Sequence, residues 1–452
     1  MLLLRKYLLV SLLLACGIPQ LACRRMVTAG APADQLTPEK VYSTASGATA
    51  VLGNIYAQFE VGASVAANLN PLSSYADETL SSAGDLYTTE FNSSQLTPAN
   101  SYNLDIWRGL YGVVYQCNAF LEGLRQLPAD QAADLGQLTG EGLFLRGLAY
   151  YYLVSLYGDV PLLLSTDAAR NSQAARTPAA EVMTRTRQDL EEAITLLSST
   201  YPGAEKTRAN KLAAQALLAR VSLDQGDWAR AEELASQVIQ SGNYALEPNM
   251  DQVYRAGSPE TILAAWNPFG YVLSGAIYIT DSGVPPYYLT DDLYQSFEPA
   301  DQRRSRWVGT STDGGGTYYF PYKYKNRDQG GNPEYLCILG LAEQYLIRAE
   351  SLARQEQVDE ALDDLNAVRQ RAGLSPVQGP VSQDSCLALI LEERRHEWVG
   401  EWAHRFIDLK RLGLLDSVLG PQKPYWKSSG RNLPIPLDEL NRDPNLTQNE
   451  GY

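Results

Sequence analysis

The chemistry this chain could do is concentrated in one string, RRHEWVGEWAHRF at 394–406, which holds both of its histidines, His396 and His404. His396-Glu397 begins like the H-E-x-x-H helix of zinc proteases, in which two imidazoles one turn apart share a metal. Gly400 stands where the second histidine would have to be, so two ligands cannot meet on one helical face. Glu393, Glu397, Glu401 and Arg405 recur every four residues and read as a structural charge ladder bracing the last helical repeat. The acid pairs Asp77-Glu78 and Asp291-Asp292 have the residue types of a glycosidase, whose carboxyls stand about 5 to 9 Å apart across a sugar. Adjacent acids in a loop are instead expected to be solvated or to cap helices. Gly314, Gly315 and Gly316 lack the following Lys-Ser/Thr of a phosphate loop and read as a turn. No catalytic residue, metal site or cofactor is expected.

Recognition chemistry is better represented. Tyrosine is the outlier, 28 against 8 phenylalanines, and nine of them lie between Trp266 and Tyr324 in a stretch rich in Gly and Pro. A tyrosine ring stacks on an apolar face while its hydroxyl hydrogen-bonds, which suits a wet binding surface. A sugar offers C–H faces for stacking and hydroxyls for carboxylates and amides. On that chemistry the candidate ligand contacts are Tyr75, Asp77, Trp266, Tyr278, Tyr287, Tyr288, Tyr318 and Tyr319.

The opening segment reads as an export signal. Arg5 and Lys6 form a positive start, 7–14 is apolar, and a small residue precedes a cysteine at Ala15-Cys16 and again at Ala22-Cys23. Gly17, Pro19 and Gln20 end the apolar run well short of the ~20 residues that span a bilayer. Cys23 is favoured over Cys16 as the lipidated residue, because cleavage before Cys16 leaves a very short apolar segment. The formal charge of −15, two units more negative once Arg5 and Lys6 are removed, argues against nucleic acid and anionic lipid surfaces as partners. Of the remaining cysteines, Cys117, Cys337 and Cys386 are an odd set, and free buried thiols are favoured over one disulfide.

The elements that must position these residues are mostly helical. After a signal at 1–22 and a tether at 23–37, Thr37 is a helix N-cap with Pro38 at the first helical position, and 41–59 reads as the first helix. Residues 68–103 read as a loop. Apolar residues then recur at three and four over 106–127, 140–156, 179–197, 209–224 and 228–241, and again over 339–355, 358–371 and 382–413. Short turns make neighbouring helices antiparallel, and stacked antiparallel pairs form an α-solenoid. AAQALLARVSLDQGDWARAEELASQVI and EQYLIRAESLARQEQVDEALDDLNAVR superpose with Ala219 on Ala349 and Ala231 on Ala361, the small residues by which tetratricopeptide hairpins approach closely. The expected organisation is N-terminal helical repeats over 38–243, an irregular Tyr/Trp-rich insert over 244–335, and C-terminal repeats with an extended tail over 336–452.

Seven segments in order carry a family resemblance: CRRMVTAGAPADQLTPEKVYSTASGATAVLGNIYAQF, RGLAYYYLVSLYGDVPL, LDQGDWARAEELASQVIQSGNYAL, YYLTDDLYQSFEPADQRR with its Asp301-x-Arg303, LAEQYLIRAESLA, EERRHEWVGEWAHRFIDLKR and LPIPLDELNRDPNLTQNEGY. The chain resembles the SusD/RagB nutrient-binding lipoproteins of the Bacteroidetes outer membrane. It departs from them at Gly340, where the family usually has Arg, which concerns a local ion pair and not the fold. The resemblance implies lipidation at Cys23, followed as in the family by basic residues. It also implies a mostly α, tetratricopeptide-like scaffold with a loop-rich insert, and a non-enzymatic surface protein that binds oligosaccharides, or in some branches peptides. Such a protein delivers its ligand to a SusC-like TonB-dependent transporter. A surface glycoside hydrolase and a purely structural repeat protein are the competing classes.

Overall fold

The computed structural model describes residues 37–61 and 64–452; the signal, the tether and Cys23 lie outside the described residues. Six long helices pack in sequence as antiparallel neighbours: Ser101–Leu124, Leu135–Tyr157, Ala179–Leu196, Lys211–Asp224, Trp228–Gln240 and, after the insert, Leu341–Arg354. Val358–Arg371 and Gln383–Glu397 extend the stack. The insert therefore interrupts the chain but not the solenoid, since Trp228–Gln240 packs directly on Leu341–Arg354. Ala219, Ala231, Ala349 and Ala361 are all fully buried, as the repeat alignment requires. Leu135–Tyr157 is buried on every face over most of its length, because it lies in the middle of the stack with neighbours on both sides.

Polar caps set several helix starts. Asn100, Asn210, Thr290 and Ser382 each accept a backbone N–H of the first turn. Thr37 accepts from Lys40 N, but the helix it opens is only Pro38–Val41, and Thr44 caps a second, Ala45–Ala57. The 41–59 helix is thus two.

Three other expectations are corrected. Residues 68–103 are not a loop: they carry the helices Pro71–Tyr75 and Leu86–Ser93 and the strand β1, Thr79–Ser81. The extended tail includes the helix Leu437–Arg442. The 382–413 helix is broken into Gln383–Glu397 and His404–Arg411. At the break Gly400 has φ 70°, and Trp402 and Ala403 are also left-handed. That bend turns the Trp402 ring inward onto Tyr152 and Phe59 and lets its indole N–H donate to Cys337 O at 2.8 Å. Burial of a large ring offsets the strain of two non-glycine residues at positive φ.

Three small antiparallel sheets tie the insert down. β2 (Thr261–Ala265) pairs with β6 (Leu336–Gly340), joining its two ends. β1 pairs with β3 (Tyr287–Leu289), joining it to the N-terminal half. β4 (Val308–Asp313) and β5 (Gly316–Pro321) form a hairpin whose turn is the glycine run. Gly340 leads from β6 into the next helix, and Glu343 in that helix forms its ion pair with buried Arg220 instead, at 2.5 and 2.7 Å.

Candidate functional site

The residues with the most reactive chemistry are used to hold the fold. Asp77 is 1% exposed and receives two hydrogen bonds of 2.7 Å from the Arg405 guanidinium, with Arg395 at 3.0 Å. Burial alone would raise its pKa, but these two guanidiniums win and hold it below the usual carboxylate range. Glu78, equally buried, is pushed up to about 8 by burial and by Asp77 beside it. The expectation that this pair is solvated or caps a helix is corrected; Asp291 and Asp292 do open a helix, with Asp292 reaching Arg395 at 2.8 Å.

The charge ladder is corrected in its partners. Its members bond across to other elements and not along one helix. Glu393 and Glu397 both meet Arg303 of the insert, at 2.7 and 3.1 Å, and Glu401 meets Lys323 at 3.4 Å. The bend at 400–403 carries Glu401 and Arg405 off the helix that holds Glu393 and Glu397. His404 is buried, and burial with nearby Arg220 and Arg394 drives its pKa far down, so it remains neutral. Among the described residues no three His, Cys, Asp or Glu side chains converge on a metal-sized site. Cys117, Cys337 and Cys386 are free thiols, with Cys337 only partly buried.

Four of the eight candidate contacts cannot touch a ligand in this structure. Tyr75 is fully buried among Phe91, Phe406 and Trp426, and its hydroxyl donates to Gly430 O. Tyr278 is buried with its hydroxyl on Gly400 O at 2.9 Å, and Tyr287 packs edge-on against it at 5.7 Å. Asp77 is the fourth. Each has the right residue type, but the sequence also needs Tyr for its core, which has few Phe.

The other four remain accessible, and two of them, Tyr288 and Tyr318, come together. Ser82 N and Oγ donate to Pro286 O and Pro285 O, drawing the 82–85 turn, and with it the start of the helix Leu86–Ser93, onto the 281–286 loop. Ser311 Oγ donates to Gly283 O at 2.7 Å, bringing in the β4–β5 hairpin. Three segments far apart in sequence thus form one rim. On it Tyr288 and Tyr318 meet edge-to-face at 5.2 Å. Tyr319, the next residue of β5, turns to the strand's other face, where it stacks on Tyr294 at 3.4 Å beside Leu289 and Val308, with the Arg304 guanidinium 4.5 Å from the Tyr294 ring. Burial raises the pKa of the Tyr288 phenol, which keeps it a neutral donor and acceptor. Leu86, Tyr87 and Val284, on or next to the segments so joined, are 67%, 38% and 36% exposed, with Tyr87 edge-on to Tyr102 at 5.8 Å; they were not among the sequence candidates. Trp266 is exposed but lies apart, after β2, in a stretch with exposed Phe269, Leu273 and Ile277.

Residues 34–223 match a family model described as starch-binding associating with outer membrane, and residues 281–432 match that of the SusD family, together about three-quarters of the chain. SusD-like protein P2 of Formosa agariphila is 25% identical, covering 93% of this chain and 95% of its own. Starch-binding protein SusD of Bacteroides thetaiotaomicron is 23% identical over 75% of this chain and 76% of its own. Among solved structures, a SusD homolog from Bacteroides thetaiotaomicron superposes with TM-score 0.79 over 92% of this chain and 98% of its own at 18% identity. A laminarin-binding SusD-like protein does so with TM-score 0.77 over 91% and 100% at 25% identity. Solenoid, insert and sequence matches agree: the chain belongs to the SusD/RagB family.

Proposed function

We propose that this protein is a lipid-anchored receptor of the outer membrane that binds oligosaccharides at the tyrosine rim and delivers them to a SusC-like TonB-dependent transporter. The observation that carries the reading is the rim itself. Stacking rings with free edges and hydroxyls are presented by β3 and β5, each paired in its own small sheet and held in place by the helical stack, so little ordering is left to be done on binding. Relatives that bind starch and laminarin support a glycan as the ligand. The hydrolase alternative loses its best acid pair, because Asp77 and Glu78 are buried and engaged by Arg405, Arg395 and Gly400 N. No helix among the described residues is long and apolar enough to cross a membrane, which suits attachment through Cys23.

The test is affinity electrophoresis of the purified protein in gels containing laminarin, starch or other polysaccharides, with reducing ends assayed over a day. Retardation in at least one gel with no new reducing ends is expected. Retention of a peptide library in place of any glycan would favour the peptide reading, and accumulating reducing ends would overturn the binding role. For the anchor, Cys23→Ala should release the protein from the membrane fraction while Cys16→Ala leaves it there; the opposite pattern would move the lipid to Cys16.

A further inference from the structure

A second aromatic groove opens elsewhere on the molecule, between the helix Ser101–Leu124, the 161–172 segment and the C-terminal 439–446 stretch, with a volume of about 690 Å³. That is the size of a small-molecule site. Trp107 and Tyr111 lie along it with their rings 4.8 Å apart, and the Tyr111 hydroxyl is fixed on Pro161 O at 2.8 Å. Tyr115, two turns further along the helix from Arg108, stands 56% exposed over the same opening. At the rim Arg108 donates to Glu439 at 3.0 Å and to Asp438 at 3.2 Å, and Arg442 stands 3.5 Å from Glu439.

We infer that this groove is a second saccharide-binding site, taking a neutral oligosaccharide with a ring stacked on Tyr115 and hydroxyls on the Arg108, Glu439 and Arg442 cluster. The chemistry selects a neutral, hydroxyl-rich ligand. The guanidiniums of Arg108 and Arg442 are bonded to Asp438 and Glu439 and joined in the lining by Asp443, so the cluster presents donors and acceptors for hydroxyls and no positive field for an anion. The groups are also pre-positioned by bonding one another, so a sugar finds them already in place. No rim residue of the first site lines this groove, so two sites on one chain would raise the retention of a polymer by multivalency. The inference rests on the glycan reading of the preceding section.

The experiment is isothermal calorimetry of the detergent-solubilised full chain with short oligosaccharides, laminarihexaose and maltoheptaose among them, of whichever polysaccharide retards the protein. Wild type is expected to bind two equivalents. Arg108→Ala with Tyr115→Ala should leave one, Tyr115→Trp should keep two, and Tyr425→Ala, an equally exposed tyrosine outside the groove, should change nothing. Thermal melting by circular dichroism should be the same in all. One equivalent in wild type, or two in the double variant, would overturn the second site while leaving the rim reading standing. Absence of binding to every glycan would overturn both.

Discussion

Arg303→Ala should lower the unfolding free energy at pH 7 by about 3–5 kcal/mol, the scale for removing one partner of a buried ion pair. Arg303 has no exposed surface and holds Asp301 at 2.8 Å, Glu393 at 2.7 Å and Glu397 at 3.1 Å. Its loss strands Asp301 and leaves Glu393 and Glu397 with only Arg369 at 3.6 Å and Arg371 at 2.5 Å, at the point where the insert is fastened to the last long helix. Arg303→Lys should recover little, because one ammonium cannot reproduce a planar fork shared among three acids. The pH dependence has a definite sign. Burial would raise Glu397, but Arg371 and Arg303 overcome that and hold its pKa low. A depressed carboxylate stabilises the fold above its unfolded value of about 4.3 and stops doing so as pH falls through its folded value. The gap between wild type and variant should therefore be full at neutral pH and narrow in acid below about pH 4. Urea unfolding at both pH values measures it, and an equal or wider gap in acid would contradict the assignment.

Glu60→Gln should stabilise the protein increasingly as the pH rises from about 5 to 8. Glu60 is 1% exposed, with Oε1 accepting from Leu273 N and Oε2 from the Ser274 hydroxyl. Burial, only partly opposed by those two bonds, pushes its pKa up to about 8. A carboxyl raised in this way contributes its full stability below its unfolded value near 4.3 and loses it as pH rises through the folded value. Glutamine keeps the acceptor for Leu273 and does not titrate. At about 1.4 kcal/mol per pH unit the difference between variant and wild type should grow by about 3 kcal/mol across that window. Glu78 titrates in the same direction but is present in both proteins and cancels. A difference that stays flat would show that Glu60 is ionised in the fold.

The solenoid was legible in the sequence because its signals are local. Ala219, Ala231, Ala349 and Ala361 mark close helix crossings, and the apolar period marks the helices on either side. The break at Gly400 was not, since nothing in EWVGEWAHRF indicates that Trp402 is needed 65 residues away at Cys337. The binding face was half legible for a related reason. Tyrosine type alone does not separate Tyr278 and Tyr287, which pack inward, from Tyr288 and Tyr318, which face each other at the rim. Neighbouring strand residues point to opposite faces, so Tyr287 and Tyr288 part ways on one strand. Leu86, Tyr87 and Val284 escaped notice because the pairing of β1 with β3 spans more than two hundred residues.

The most direct test is calorimetry of the triple variant Tyr87→Ala, Tyr288→Ala, Tyr318→Ala with a glycan that wild type binds. None of the three rings is buried, so the far-ultraviolet circular dichroism and melting temperature should match wild type. Each aromatic contact is worth about 0.5–1.5 kcal/mol beyond area burial, and about 1.4 kcal/mol is tenfold in affinity. The account predicts at least a tenfold weaker association at the rim in a protein that remains folded. Unchanged affinity and stoichiometry in the triple variant would place the ligand elsewhere on the molecule and contradict the account.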